Sequence, residues 1–251
     1  MTDLRLEVIE KRFRDVDKII AVSGGKGGIG KSLTASTLAL VLKESGYRVG
    51  LFDLDFSSPA IHVILGAGEA YPEEDKGIIP PEICGIKFMT IVYYIRDHPL
   101  PLRGVDISNA LIELLTITRW GSLDFLIIDM PPGMGDVTLD VIRLIKKIQF
   151  LIVATQSRVV METVKKVIKM LKVLEIPMVG VIENMQTTPS PVVKNELKAF
   201  NLPLLGEIGF DKGLENSLGD VNKLLKTDFA GDIRKIVLNS DGLKLKTTLR
   251  K

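Results

Sequence analysis

Lys18-Ile19-Ile20-Ala21-Val22-Ser23-Gly24-Gly25-Lys26-Gly27-Gly28-Ile29-Gly30-Lys31-Ser32 is the stretch whose reading decides the fold. Its first six residues are an apolar run too short and too rich in β-branched side chains for a buried helix, so they read as a strand. A helix is predicted over Lys31–Ser45, and the glycines between fit a phosphate loop, Gly25-x-x-x-x-Gly30-Lys31-Ser32, in the strand–loop–helix setting that motif requires. Glycine tolerates positive φ, so successive backbone N–H groups can turn inward around phosphate oxygens. The helix N-terminus adds partial positive charge at the same point. Gly25, Lys26, Gly27, Gly28, Ile29, Gly30, Lys31, Ser32 and Leu33 are therefore the expected cradle for ATP. Lys31 is placed to reach the β- and γ-phosphates, and the Ser32 hydroxyl to ligate Mg²⁺, a hard cation that prefers oxygen. A phosphate loop of this kind needs only its terminal lysine. Lys26 is a second one, and it reads as an extra cation for the transferring phosphoryl group, including one held by a partner subunit, in the manner of an arginine finger.

Outward from the loop, apolar runs alternate with helical segments. The predicted strands are Lys18–Ser23, Arg48–Asp53, Ile86–Tyr93, Leu123–Asp129, Phe150–Thr155, Met178–Glu183 and Pro203–Gly209. Between them helices are predicted over Lys31–Ser45, Asp106–Arg119, Asp136–Ile145, Val159–Leu174 and Pro191–Phe200. Runs apolar on both faces belong to a parallel sheet covered on both sides. The predicted fold class is α/β: a doubly wound, mostly parallel sheet with helices on both faces, forming one domain over residues 1–251. Gly66–Pro81 and Asp97–Gly104 read as surface excursions.

Three acids close two predicted strands at the carboxyl edge, where such folds bind ligands. Asp53 and Asp55 end one strand, and Asp129 ends another, followed by Pro131-Pro132-Gly133-Met134-Gly135-Asp136. Acids in these places can orient a magnesium-bound or attacking water, and the glycine-rich segment fits a switch that reports the γ-phosphate.

Several function classes are excluded or narrowed by composition. The formal charge of +2 offers no general basic field, so no nucleic acid is expected as a partner. The one cysteine, Cys84, allows neither an intrachain disulfide nor a four-thiolate metal site, and the reducing cytoplasm is the expected location. No run of about 18 apolar residues exists, and Met1–Lys18 lacks a signal-peptide core, so no membrane association is expected. Ile233, Ile236, Val237 and Leu238 could begin an amphipathic C-terminal helix, but Asn239-Ser240-Asp241-Gly242 interrupts it, and the basic end reads as a solvated tail. His62 and His98 are isolated and read as structural.

These motifs together resemble the deviant phosphate-loop ATPases of the MinD/Mrp type. The resemblance rests on GGKGGIGKS, on Asp53-x-Asp55 with the following Phe56–His62, on Leu123–Asp136, on Val181-Ile-Glu-Asn184-Met185 and on Leu205–Asp211, and it spans residues 18–225. It implies a homodimer that closes on ATP, with Lys26 reaching the partner's phosphates. It further implies that Lys26, Lys31 and Asp55 carry the chemistry, with Asp55 placing the hydrolytic water. Ser32, Asp53 and Asp129 are implied as magnesium-shell residues, and Asn184, Glu207, Phe210 and Asp211 as surroundings of the adenine. The "PPGMGD" and "ENM" segments point to the Mrp branch. Iron–sulfur carriers of that branch have a Cys-x-x-Cys shortly after "ENM", whereas here Met185–Leu197 contains no cysteine. Without it the chain resembles the ATPase-type [NiFe]-hydrogenase maturation factor HypB, which implies nickel delivery with a HypA-type metallochaperone. The alternatives are an iron–sulfur assembly ATPase and, in another class, a MinD/ParA-like positioning ATPase.

Overall fold

The computed structural model describes residues 4–68, 70–95 and 105–244. In chain order the elements begin with α1 (Leu4–Phe13), β1 (Val16–Gly24), α2 (Lys31–Glu44), β2 (Val49–Asp53) and α3 (Ile61–Leu65). Next come the short β3 (Glu73–Glu74), β4 (Ile78–Ile79) and β5 (Glu82–Ile83), then β6 (Ile86–Thr90), α4 (Val92–Ile95) and α5 (Val105–Ile117). The second half holds β7 (Leu123–Asp129), α6 (Asp136–Leu144), β8 (Ile148–Ala154), α7 (Arg158–Val173) and β9 (Met178–Gln186). It closes with α8 (Val192–Lys198), β10 (Leu204–Gly209), α9 (Val221–Leu224) and α10 (Asp228–Asn239).

Eight strands form one sheet in the order β10-β9-β8-β1-β7-β2-β6-β5, and every pairing is parallel except that of β5 with β6. The central strands are buried almost throughout, as β-branched runs covered on both faces must be. Helices α2 and α10 pack together, and α1, α5 and α6 pack mutually. The doubly wound α/β fold read from the sequence is the fold observed.

Boundaries differ where side chains intervene. The run Ile86–Tyr93 ends as a strand at Thr90, whose hydroxyl accepts the Val92 N–H at 3.3 Å and turns the chain into α4. β9 continues three residues beyond Glu183, carrying Asn184 into the sheet edge. The excursion Gly66–Pro81 contains the β3–β4 hairpin, while Asp97–Gly104, with His98, lies outside the described residues. The N-terminal segment, read from the sequence only as lacking a signal-peptide core, forms α1 because Leu6, Ile9 and Phe13 recur at helical spacing, and it buries Ile9 and Phe13. α10 is likewise an amphipathic helix, but its apolar face is spent inside: Phe229, Ala230, Ile233, Ile236 and Val237 are buried against α2 and β10. Among the described residues, no helix is long and apolar enough to cross a membrane.

Ile233→Ala is expected to lower unfolding free energy by about 2–5 kcal/mol, since it opens a void in a closed core. Leu238, on the same helix but 68% exposed, should tolerate the same change within about 0.5 kcal/mol. Denaturant unfolding of the two variants measures both, and equal losses would contradict the orientation of α10.

Candidate functional site

The parallel strands deliver their C-terminal ends to one edge of the sheet, and the sequence motifs meet there. β1 runs into the phosphate loop, and Gly30 caps α2 at φ 85°, a conformation that side chains resist. The loop is wedged between neighbours. A Cβ on Gly30 would lie 2.2 Å from Asn184 Nδ2, and one on Gly25 would lie 2.1 Å from Thr163 Oγ1 of α7. By contrast, Gly27 and Gly28 face open space, with nothing within 4 Å of an added Cβ, as the crest of an anion cradle requires. Lys31 is buried and lies across the loop, its ammonium donating to the Lys26 carbonyl at 3.4 Å. The Lys26 side chain is exposed and makes no ion pair among the described residues. Leu33 packs partly buried against the core and anchors the first turn of α2.

Asp53 and Asp129 are register partners on the adjacent strands β2 and β7, and both are buried. Asp53 Oδ1 accepts the Asp55 N–H at 3.1 Å, but its Oδ2 has no partner. Neither Asp129 oxygen makes a well-formed hydrogen bond. Burial pushes the Asp129 carboxyl up to about 7, opposed by the nearby Ser32 hydroxyl and Lys31 ammonium. Burial also raises Asp53 well above the usual carboxylate range, and the neighbouring Asp129 adds to this. Orphaned buried carboxylate oxygens beside a serine hydroxyl are a donor set suited to a hard divalent cation. No three His, Cys, Asp or Glu converge as a protein-only metal cage among the described residues. Asp55 is held differently: its Oδ1 accepts the N–H groups of Ser57 (3.2 Å) and Ser58 (3.1 Å), fixing it at the mouth of the site.

Backbone bonds join the three segments. Gly133 N–H donates to Gly24 O at 2.9 Å, Met130 N–H to Val22 O at 3.1 Å, and Leu54 N–H to Asp129 O at 3.0 Å. Thus the loop, the Asp53–Asp55 turn and the Pro131–Gly135 segment form one hydrogen-bonded unit.

On the other flank, Asn184 is 2% exposed; its Nδ2 donates to Ile29 O at 2.9 Å and its Oδ1 accepts the Met185 N–H at 2.8 Å. In this structure Asn184 therefore braces the phosphate loop, retaining one donor hydrogen for a ligand. Glu207 and Phe210 are exposed, and Asp211 caps Gly213 N–H at 2.8 Å. Two residues at this flank were quoted in the sequence only as part of the "ENM" segment and given no role there. Met185 sits at φ 56° with its side chain near Gly30. Glu183, in register with Glu207, is fully buried with Oε2 unpartnered, and burial raises its carboxyl against the Gln156 and Gln186 amides. Glu183 was legible only as the end of an apolar strand and the first letter of "ENM"; in the sheet it lies between β8 and β10. His62 lies in α3, away from any metal-binding cluster among the described residues. Cys84 is exposed at the β5–β6 turn, before the start of β6 and so at the opposite edge of the sheet from Asp53.

The raised acids set a pH dependence. The folded protein holds protons on Asp129 more tightly than the unfolded chain, so stability is fullest below the unfolded carboxylate range near pH 4 and is lost as pH rises through about 7. Urea unfolding of the ligand-free protein should show this decline between about pH 4 and 7. Asp129→Asn should flatten it and gain at least about 1 kcal/mol at pH 8. An unchanged slope would place the titration elsewhere.

Comparison with known proteins agrees with this geometry. The family model described as "ParA: NUBPL iron-transfer P-loop NTPase" matches residues 15–238. An iron–sulfur cluster carrier protein of Pyrococcus horikoshii is 36% identical over 95% of this chain and 86% of its own length. One of Aquifex aeolicus is 37% identical over 82% of this chain, which spans only 57% of that relative. Among solved structures, a nucleotide-binding protein of Archaeoglobus fulgidus in complex with ADP has a TM-score of 0.72 and 28% identity, covering 89% of this chain and 95% of the other. The MinD protein of P. horikoshii with Mg-ADP shares the fold at TM-score 0.66 and 18% identity, covering 89% and 96%. These relatives favour the iron–sulfur alternative over the nickel reading taken from the missing Cys-x-x-Cys. From residue 15 to 238 this chain belongs to the NUBPL iron-transfer family of P-loop NTPases.

Proposed function

We propose that this protein is an ATP-binding and ATP-hydrolysing switch that works as a homodimer in metallocentre assembly, in iron–sulfur cluster delivery of the kind its relatives are named for. The observation that carries the switch is the set of bonds tying Gly24 to Gly133 and Leu54 to Asp129. A phosphate arriving in or leaving the loop moves both acid-bearing segments, and so changes the surface offered to a partner.

Lys31 supplies buried positive charge to the β- and γ-phosphates, and the exposed Lys26 reaches the phosphates of the second copy. Asp55, fixed by two backbone amides, orients the water that attacks the γ-phosphate. Ser32, Asp53 and Asp129 would hold Mg²⁺, which would supply positive charge to neutralise the phosphates. Asn184, with Glu207, Phe210 and Asp211 beside it, borders the adenine, and Met185 adds apolar surface there.

The cysteine count favours a second reading of the cargo. A dimer offers two thiolates, both at Cys84 and both at the wrong edge, whereas a bridging cluster is held by four. The metal then resides on a partner, and nickel delivery with a HypA-type chaperone stays within this second reading. An anaerobic pull-down with ATP, followed by iron, sulfide and nickel analysis, separates the two. Iron with sulfide supports cluster delivery; nickel supports the second reading; no metal-bearing partner in either nucleotide state removes metallocentre assembly.

Lys26→Ala is expected to bind fluorescent ADP within about threefold of the unmodified protein while losing ATP-dependent dimerisation by light scattering. Asp55→Asn should still dimerise with ATP but release phosphate about 10²–10⁴ times more slowly. A Lys26→Ala protein that dimerises and hydrolyses normally contradicts the shared-lysine arrangement.

A further inference from the structure

Strand β9 buries a carboxylate where an apolar side chain would serve folding better. Glu183 is 0% exposed and follows the buried Val181 and Ile182, yet its Oε2 has no partner. A buried, unpaired carboxylate oxygen costs stability, so the fold by itself gains nothing from an acid at this point. Its register partners are Ala154 of β8 and Glu207 of β10, and the Glu207 carboxylate disfavours a charge on it.

What the acid touches gives it a task. Its Oε1 accepts a hydrogen bond from the Gln186 amide at 3.4 Å. Burial raises its carboxyl above the usual range, and the amides of Gln156 and Gln186 oppose that rise by bonding the charged form. Gln156, in the turn after β8, also donates to Thr188 O at 2.7 Å. One carboxyl thus gathers the segment after β8 and the segment that ends β9.

Asn184 and Met185 lie between Glu183 and Gln186. Met185 sits at φ 56°, in the left-handed region that non-glycine residues avoid, so the chain bends there. The bond from Gln186 back to Glu183 closes the bend, and Gln186 O accepts the Phe210 N–H at 2.9 Å, which ties it to the end of β10. Successive strand residues face opposite sides of a sheet. Glu183 therefore anchors one side while Asn184 serves the other, where it bonds Ile29 O and fills the space beside Gly30.

We propose that Glu183 is a positioning residue for nucleotide recognition: as shared acceptor of Gln156 and Gln186 it closes the bend that presents Asn184, and so sets how much more tightly the loop holds an adenine nucleotide than bare diphosphate. The inference rests on the reading of Asn184 as a neighbour of the adenine. Glu183 acts through Asn184 and meets neither base nor phosphate.

Isothermal titration of the full chain with ADP and with pyrophosphate, both in magnesium, measures that preference as a ratio of affinities. Glu183→Met fills similar space without an acceptor; it should weaken ADP about tenfold and leave pyrophosphate within about twofold. Glu183→Gln keeps an acceptor oxygen and should bind ADP within about threefold of the unmodified protein. Gln156→Ala combined with Gln186→Ala removes both donors at part-buried positions and should reproduce the loss in Glu183→Met. Circular dichroism establishes that each variant is folded, and where Glu183→Met is not, the double variant decides. Equal losses for ADP and pyrophosphate make the role merely structural and overturn the proposal. So does ADP binding unaltered in the double variant, and so does a Glu183→Gln protein as weak as Glu183→Met. An unmodified protein that holds ADP no more tightly than pyrophosphate is a distinct result: it removes the adenine reading of Asn184, and this inference with it.

Discussion

Two carboxylates buried side by side govern the functional edge of this molecule. Asp53 and Asp129 are register partners on β2 and β7, shielded from water and left with unpartnered oxygens. Such an arrangement is costly unless positive charge is supplied, because a low-dielectric site strengthens repulsion between like charges as much as attraction between unlike ones. Lys31, buried across the phosphate loop, is one source. A divalent cation is the natural second. The protein therefore carries at this edge an electrostatic need for added positive charge.

That need is wired into backbone. Strand β1 lies between β7 and β8, so the loop that leaves it is bonded to the segment after β7 through Gly133 and Gly24. Leu54 N–H to Asp129 O adds the turn after β2. On the far flank, Asn184 bonds Ile29 O and packs where any side chain on Gly30 would intrude. The loop is thus braced from both sides while its crest remains open. The loop is thereby bonded directly to two segments that carry acids and glycines.

Membership of an iron-transfer family sits beside a cysteine count that cannot supply a bridging cluster. The two facts are compatible if the chain manipulates a metal centre that a partner holds. Cys84 does not rescue a ligand role: the β5–β6 turn precedes β6, and the parallel sheet puts strand beginnings and strand ends at opposite edges.

The phosphate loop, the succession of strands and the acids at strand ends were all legible in the sequence, because each is a local pattern. Six apolar residues followed by glycines and a lysine specify strand, loop and helix whatever else the chain does. Helix α1 was not recognised, and α10 was read only as an interrupted amphipathic segment, since their apolar residues are spaced around a helix and gain meaning only from the surfaces they cover. Sequence could name Asp53 and Asp129 as candidates, but only the β2–β7 register made them neighbours and buried them. The same holds for Glu183 and for the brace from Asn184 to Ile29. Local chemistry is written along the chain. Burial, pairing and charge environment arise between segments far apart in it, so they exist only once the sheet has brought those segments together.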